Sequence, residues 1–218
     1  MQSEAEAREI RDAFPDLVAM SGSEGLIRVA EDVSTDLVVA GIVGAAGLYP
    51  AYAAISAGKN IALANKEPLV LAGELFMKEA SRTGATILPA DSEHNAIFQC
   101  LPVAYQKAAM FGQLGRVKRA VADADRRSIP ANVSGITLTA SGGPFLNAPI
   151  KSLNHVSPSQ AANHPNWKMG RKISIDSATM MNKCLELIEA CSYFALPPSA
   201  VDLVIHPQSI VHSVVTFD

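Results

Sequence analysis

The chain has 218 residues, of which 49% are hydrophobic and 18% charged, so it is long enough to bury one sizeable core or two modest ones. Its net charge of -3 excludes the strongly basic field that gathers nucleic acid, and no apolar run approaches the roughly 20 residues of a membrane span. Three cysteines without a CxxC pair, and an acidic opening segment unlike a signal or transit peptide, favour a reducing, cytoplasmic location.

Short apolar runs alternate with longer amphipathic stretches between Asp36 and Asp91, a pattern typical of parallel strands joined by crossover helices. It predicts strands over 36–43, 60–64 and 85–90, and helices over 48–57 and 70–83 that end at Gly58 and Gly84. The strands are apolar throughout, so we expect both faces of their sheet to be covered. Before them, the same rhythm predicts a helix over 4–14, a strand over 16–20 and a helix from about 24.

After Asp91 the rhythm changes, and the chain reads as a second domain. The predicted elements are a helix from about 95, a strand over 135–140, a long helix over 178–194 and two strands on either side of His206. Between Arg116 and Arg127, five basic residues are diluted by carboxylates, which favours solvated surface over a phosphate-binding arm. The fold class is therefore α/β, with a doubly wound parallel sheet over 1–90 followed by an α+β domain over 91–218.

The segment from Asp91 to Asn95 directly follows an apolar strand, where open α/β sheets place their ligands. Asp91 and Glu93 offer carboxylate oxygens to a hard cation such as Mg²⁺ or Mn²⁺, if a third ligand comes from elsewhere. The structural alternative is a helix N-terminus, capped by Asp91 or Ser92, with Glu93 complementing the helix dipole.

The predicted long helix contains a second set of polar residues. Ser177 falls at its expected N-cap, where free backbone N–H groups can bind a phosphate, and Lys183 lies further along. Asn182 and Glu186 share the face opposite the apolar stripe, which suits a cation near Glu186. A capped amphipathic helix with an ordinary polar surface explains the same residues.

Two loops complete the candidate site. Ser141 and two glycines follow the 135–140 strand, a pattern that fits either a phosphate cradle or a tight turn. The later loop carries His164 and Trp167, the single tryptophan of the chain, and predicts either a lid over a ligand or a plug on the domain surface. His164 and His206 both follow apolar segments, where each could donate to an anion or move protons.

Six segments in order resemble the motifs of the 1-deoxy-D-xylulose 5-phosphate reductoisomerase family: AGIVGAAGLYP, LANKE, LPADSEHNAIFQ, TASGGPF, HPNWKMGRKISIDSATMMNKCLELIEA and IHPQSIVHS. One could occur by chance, whereas six collinear segments are highly specific. The resemblance implies a partial Rossmann-like NADPH-binding domain over 1–90 and a catalytic domain, incomplete at its C-terminal end, over 91–218.

The resemblance also implies a role for each matching residue. The metal ligands would be Asp91, Glu93 and Glu186. Substrate would be bound by Lys66, Ser92, Ser141, His164, Trp167, Ser177, Asn182, Lys183 and Glu186, with Ser141, Ser177, Asn182 and Lys183 on its phosphate. The nicotinamide nucleotide would contact Asn65, Glu67, Met169 and Gly170, and Trp167 with Met169 would form a lid. The catalytic residues would be Lys66, Glu93, His164, Glu186 and His206.

The implied reaction converts 1-deoxy-D-xylulose 5-phosphate, a small phosphosugar, into 2-C-methyl-D-erythritol 4-phosphate for isoprenoid synthesis. It requires NADPH and a divalent metal, Mg²⁺ or Mn²⁺ with Co²⁺ as an alternative, and the resemblance implies a homodimer. The metal would polarise the substrate carbonyl during the skeletal rearrangement, and NADPH would then deliver hydride.

The sequence departs from the family pattern at both ends. The glycine-rich GxTGxIG turn that binds the NADPH pyrophosphate does not occur in it, nor does the family's C-terminal helical domain. The connection from Arg116 to Pro130 also reads as longer than in many relatives. We therefore expect the chain alone to turn over substrate slowly, because the pyrophosphate loses its backbone donors.

Two rival hypotheses remain at this point. One is a metal-dependent phosphosugar isomerase or aldolase without a redox step, because the metal and phosphate residues stand without a dinucleotide fingerprint. The other is a non-catalytic phosphosugar-binding module. Lys66 and Met169 favour the reductoisomerase hypothesis, because a pure binder has no evident need of residues that face a nicotinamide.

Overall fold

The computed structural model describes residues 3–114 and 133–217, so the basic stretch and the long connection between Arg116 and Pro130 lie outside the described residues. The helices are α1 (Glu4–Ala13), α2 (Gly22–Glu31), α3 (Leu48–Ser56), α4 (Glu67–Thr83), α5 (Ser92–Cys100), α6 (Val103–Met110), α7 (Pro158–Ala161), α8 (Arg171–Ala178) and α9 (Met181–Phe194). The strands are β1 (Leu37–Ala40), β2 (Asn60–Leu63), β3 (Ile87–Pro89), β4 (Val133–Ala140), β5 (Val201–Ile205) and β6 (Ser213–Phe217). Short 3-10 turns occupy Gly44–Gly47, Ile150–His155 and Pro198–Ala200.

The first sheet confirms the predicted βαβαβ unit. Its three strands run parallel in the order β1-β2-β3, and α3 and α4 form the crossovers. α4 ends at Gly84, which adopts the left-handed conformation that a residue without a Cβ tolerates best. The carboxyl ends of β2 and β3 therefore meet at one edge of the sheet, where Lys66 and Asp91 follow them.

Two predictions for the first half are wrong. The 16–20 segment forms turns and irregular backbone instead of a strand, and Leu17 and Val18 are exposed, because no described strand lies beside it to accept its hydrogen bonds. The sheet is also not covered on both faces at β1. Leu37 and Val39 are 50% and 71% exposed, and they border a cavity that Leu26 and Val29 of α2 also line.

The second sheet has the order β5-β4-β6, with β5 parallel and β6 antiparallel to the central strand. β4, β5 and β6 confirm the strands predicted for this half. The long helix differs from its prediction, because Met180 adopts a left-handed backbone conformation with φ of 63° and separates α8 from α9. Ser177 consequently lies near the C-terminal end of α8 and is not an N-cap.

One cluster of buried side chains connects the two sheets. It includes Phe76 of α4, Ile87 of β3, Leu138 of β4 and Tyr193 of α9. The Tyr193 hydroxyl donates to the Ile87 carbonyl over 2.7 Å, so α9 is fixed directly against the strand that leads to Asp91. None of the helices in the described part of the chain has the length and apolar character needed to cross a membrane.

The α4–α9 packing requires a glycine at position 73. A Cβ built on Gly73 would lie 2.4 Å from Ser192 Oγ and 2.5 Å from its Cβ. We expect Gly73→Ala to lower the free energy of unfolding by about 1–3 kcal/mol, because overpacking outweighs the roughly 1 kcal/mol that alanine gains in helix propensity.

A double-mutant cycle with Ser192→Gly, measured by denaturant unfolding, isolates this contact. Ser192→Gly removes the clashing atoms, so Gly73→Ala should cost less in that background. An equal cost in both backgrounds would show that the helix contact is not the reason.

Candidate functional site

The three predicted metal ligands converge at the carboxyl edge of the first sheet. Asp91 and Glu93 stand at the start of α5, and Glu186 projects from α9. One carboxylate oxygen from each lies within 4.8 Å of the others. Asp91 also caps α5, accepting a hydrogen bond from the Glu93 amide over 3.3 Å, so the structural alternative and the ligand geometry coexist.

Two lysines stand between these carboxylates. Lys66 Nζ lies 2.8 Å from Asp91 Oδ2 and 2.9 Å from Glu186 Oε1. Lys183 Nζ lies 2.8 Å from Glu93 Oε1 and also contacts Glu186 Oε2. The two ammonium groups therefore neutralise most of the charge of the three carboxylates and leave the five groups at a net -1.

Burial and pairing act against each other in this cluster. Burial disfavours the ammonium form of Lys66, but the charges of Asp91 and Glu186 outweigh it and raise the lysine pKa above its ordinary value. Burial would likewise raise the pKa of Asp91, but His94 and Lys66 lower it well below its usual range. Burial and the nearby Asp91 raise the pKa of Glu186. Asp91 is thus held as an anion beside Glu186, whose carboxylate accepts a proton more readily than an exposed glutamate does.

His94 and Glu189, to which the sequence analysis gave no role, form a buried layer behind the predicted metal ligands. His94 Nε2 donates to the Glu186 carbonyl over 3.0 Å, and Nδ1 lies 3.4 Å from Asp91 Oδ1. Glu189 Oε2 lies 3.6 Å from His94 Nε2. With Asp91, these two residues make a second group of metal-ligand type. A signal was present in the sequence, because Glu189 follows Glu186 by one helical turn.

The loop after β4 lines the same cavity as the carboxylates. Gly143 packs so closely on α8 that a Cβ would lie 2.5 Å from the Ser177 carbonyl oxygen and 2.6 Å from Ala178 Cα. This approach brings Ser141 and Ser177 to the same cavity. The Ser177 hydroxyl donates to the Ile173 carbonyl over 2.8 Å within its own helix.

His164 has a defined hydrogen-bonding polarity. Its Nδ1 accepts from the backbone N–H groups of Asn166 and Trp167 over 3.2 and 3.1 Å. Since an amide only donates, neutral His164 carries its proton on Nε2, which lies 3.3 Å from Ser141 Oγ. Burial lowers the pKa of His164, which favours this neutral form. The ring therefore presents an N–H donor beside Ser141.

A cavity of about 500 Å³ joins these groups. Of the predicted site residues, those that line it are Lys66, Asp91, Ser92, Glu93, Ser141, His164, Trp167, Met169, Ser177, Asn182, Lys183 and Glu186. The predicted residues that do not line it are Asn65, Glu67, Gly170 and His206.

These four residues have contacts or structural positions outside the cavity. The Asn65 amide donates to the carbonyls of Ile42 and Gly44, and this residue borders a separate, mostly apolar cavity of about 300 Å³ beside β1. Glu67 pairs with Lys172, and Gly170 is the N-cap of α8.

His206 Nε2 accepts from the backbone amides of Ile210 and Val211 over 3.1 and 3.3 Å, so its ring organises the turn before β6.

Several lining residues were missed. They are chiefly Thr139, Met180, Ser209, Val211 and His212. Ser209 has a positive φ of 53°, and its hydroxyl is buried without a hydrogen-bond partner. The sequence showed Thr139 only as part of a strand, Met180 only as part of the predicted long helix, and the other three only as the turn and strand after His206. Val211 and His212 meet Thr139 because β6 pairs with β4.

The buried layer predicts a stability that falls as pH rises. Burial lowers the pKa of His94, but Glu189 and Asp91 outweigh it and raise it from 6.5 to about 9. Burial raises the pKa of Glu189 from 4.5 to about 7. A group whose pKa is higher in the folded than in the unfolded state contributes stability that is complete below its unfolded-state pKa. This stability is lost as the pH rises through the folded-state pKa.

In chelator-containing buffer, the free energy of unfolding should therefore decline between pH 6.5 and 9, by on the order of 1 kcal/mol or more. Urea denaturation across this range measures it, and His94→Gln should flatten the slope. A wild-type stability that is constant or rises over the range would contradict the protonated, paired state of His94.

Two family models match the chain. The model for 1-deoxy-D-xylulose 5-phosphate reductoisomerase matches residues 1–73, and the model for the C-terminal domain of that enzyme matches residues 87–194. Among curated proteins, reductoisomerases of this name from Pseudomonas fluorescens and Acinetobacter baumannii are 50% and 52% identical over 96% and 93% of this chain. The aligned region makes up 48% and 47% of those proteins, so the chain spans about half their length.

Solved structures give the same result. A DOX-P reductoisomerase in complex with NADPH, fosmidomycin and magnesium is 50% identical, with a TM-score of 0.87 over 99% of this chain and 50% of that one. The reductoisomerase from Zymomonas mobilis in complex with NADPH is 39% identical, with a TM-score of 0.78 over all of this chain and 50% of that one. The chain belongs to the 1-deoxy-D-xylulose 5-phosphate reductoisomerase family.

Proposed function

We propose that this chain carries the metal and substrate site of an enzyme that rearranges 1-deoxy-D-xylulose 5-phosphate and reduces it with NADPH to 2-C-methyl-D-erythritol 4-phosphate. The observation that carries the proposal is the meeting of Asp91, Glu93 and Glu186 in a cavity that Ser141 and His164 also line. The rival hypotheses are not favoured, because the relatives are named reductoisomerases and two of the solved ones contain NADPH.

The acidic cluster fits a hard divalent cation. Its donors are carboxylate oxygens close enough to share one ion, and Mg²⁺ is present in a solved relative. We expect Mg²⁺ here, with Mn²⁺ and Co²⁺ as alternatives. The bound ion would polarise a carbonyl oxygen of the substrate. Lys66 and Lys183 hold the carboxylates together, and the ion would take over part of that charge balance.

The remaining polar groups of the cavity suit a phosphosugar. The hydroxyls of Ser141 and Ser177, the Asn182 amide and the Lys183 ammonium would bind the phosphate. Lys183 now contacts Glu93 and Glu186, so it must release a carboxylate to reach the phosphate. A substitution of Lys183 would therefore disturb the carboxylates of the proposed metal site as well as the phosphate contact.

Around the sugar, Lys66, Ser92 and His164 would contact oxygen atoms, His164 through its Nε2–H. Trp167 and Met169 would close over the substrate and exclude water.

The nucleotide side is proposed from the loops at the carboxyl end of β2 and at the start of α8. Asn65, Glu67, Met169 and Gly170 would contact the nicotinamide end of NADPH. A Cβ built on Gly170 meets no atom within 4 Å, which leaves room for a ligand beside this backbone. His206 is proposed to act indirectly, because its ring is bonded to the 210–211 backbone.

The proposal also covers the domains, cellular location and assembly of the whole protein. The two sheets support a division into an NADPH-binding domain over 1–90 and a catalytic domain over 91–218. Cys100, Cys184 and Cys191 are free thiols, which fits the reducing cytoplasm. We also propose that the whole protein is a homodimer and that its reaction belongs to isoprenoid synthesis.

Glu186→Gln should weaken Mn²⁺ or Mg²⁺ binding by at least about tenfold, because even indirect partners of metal ligands contribute that much to affinity. Calorimetric titration of the metal alone measures this without turnover. Glu189→Gln is the matched control, since Glu189 is equally buried on the same helix but belongs to the second acidic group. If only Glu189→Gln lost affinity, the ion would lie with Asp91, His94 and Glu189 instead.

Gly143→Ala should weaken binding of inorganic phosphate or substrate by roughly tenfold, a loss of about 1.4 kcal/mol. The added Cβ pushes the end of α8 away from Ser141 and separates the two hydroxyls. Gly41→Ala is the control, because its Cβ meets no atom within 4 Å. Unchanged phosphate affinity in Gly143→Ala, measured by titration, would remove this loop from the phosphate site.

A further inference from the structure

Lys172, to which the sequence analysis gave no role, lies between two helices that lead to the site, α4 and α8. It stands in the first turn of α8, directly after the lid loop (residues 164–170). Its ammonium lies 2.7 Å from Asp176 Oδ2 on the same helix and also contacts Glu67 Oε1, the first residue of α4. One side chain therefore links the start of α8 to the start of α4.

The two ends of this link lead to functional groups. On the α4 side, Glu67 directly follows Lys66, whose ammonium holds Asp91 and Glu186. On the α8 side, the helix start is fixed to the lid loop, because the amide and hydroxyl of Ser174 both donate to the Gly170 carbonyl, over 3.1 and 3.0 Å.

The position of the lid loop matters because Trp167 and Met169 line the cavity. The Glu67–Lys172 ion pair connects the start of α4 to the segment that carries this loop.

The charge of Lys172 explains how this residue holds α8 against α4. The Lys172 side chain is 41% exposed, whereas the side chains of Glu67 and Asp176 are only 14% and 18% exposed. Two mostly covered carboxylates thus share a single ammonium. Without it they would face each other as like charges with little solvent screening, which would drive α8 away from α4.

We propose that Lys172 is a positioning residue that holds the lid loop over the cavity by joining the start of α8 to Glu67. Because Glu67 is also assigned to the nucleotide, the inference deepens the proposed function. A nucleotide that draws Glu67 away from Lys172 would loosen the lid loop, so cofactor contact and lid position depend on the same carboxylate.

The single tryptophan of the chain provides a direct test. In the full 218-residue chain without ligands, Lys172→Met should increase acrylamide quenching of Trp167 fluorescence. The increase cannot exceed about twofold, because Trp167 is already 48% exposed. Hydrogen exchange of the 164–170 peptide should also accelerate, since the Asn166 and Trp167 amides are bonded to His164.

Lys172→Arg keeps the positive charge and should restore quenching and exchange to wild-type values. Lys78→Met, which removes an exposed charge from α4, should leave both unchanged. Circular dichroism establishes that each variant is folded.

The proposal is overturned if Lys172→Met matches Lys78→Met, or if Lys172→Arg behaves like Lys172→Met. The assay contains neither substrate nor nucleotide, so a failure of the proposed catalytic function would leave it interpretable.

Discussion

The buried ammonium of Lys66 is the contact on which the arrangement of the site depends. It joins Asp91, at the end of the first sheet, to Glu186, which lies on a helix 95 residues later in the chain. Both carboxylates and the lysine are almost fully covered, and an unpaired charge in such a place costs several kcal/mol. The chain therefore cannot lose one member of this set without disturbing the others, since about 3–5 kcal/mol typically follows the removal of one partner of a buried pair.

The apolar core makes that ionic contact geometrically possible. α9 packs on α4 through the close Gly73–Ser192 approach, and Tyr193 is bonded to the backbone of β3. These contacts fix the helix relative to the strand ends before any charge is considered. Asn182, Lys183 and Glu186 stand on its first two turns, so their relative spacing is that of a rigid helix. A site built on such an element keeps its geometry better than one built on loops.

The sequence predicted much of this arrangement, for identifiable reasons. Asp91 and Glu93 were found because they follow an apolar strand, and periodicity placed Asn182 and Glu186 on one helical face. It failed where the structure depends on contacts between distant segments. Nothing local shows that Lys183 reaches Glu93, ninety residues away, or that Met180 adopts a left-handed conformation and moves Ser177 out of the expected N-cap. Such a strained backbone in a cavity wall is a feature that propensity rules miss.

The lysines in the acidic cluster also constrain how ligands can enter. A metal ion and two ammonium groups cannot all hold the same carboxylate oxygens at short range, because like charges at a few ångströms repel strongly at low dielectric. A metal ion bound in the proposed site would therefore loosen Lys66 or Lys183 from Glu186. A released Lys183 would share the cavity with Ser141 and Ser177, with which it is proposed to bind the phosphate. Metal and phosphate should consequently favour each other's binding. The metal would free the Lys183 ammonium to bind phosphate, and the phosphate would draw that ammonium away from the carboxylate that the metal needs. This linkage is reciprocal by thermodynamic necessity.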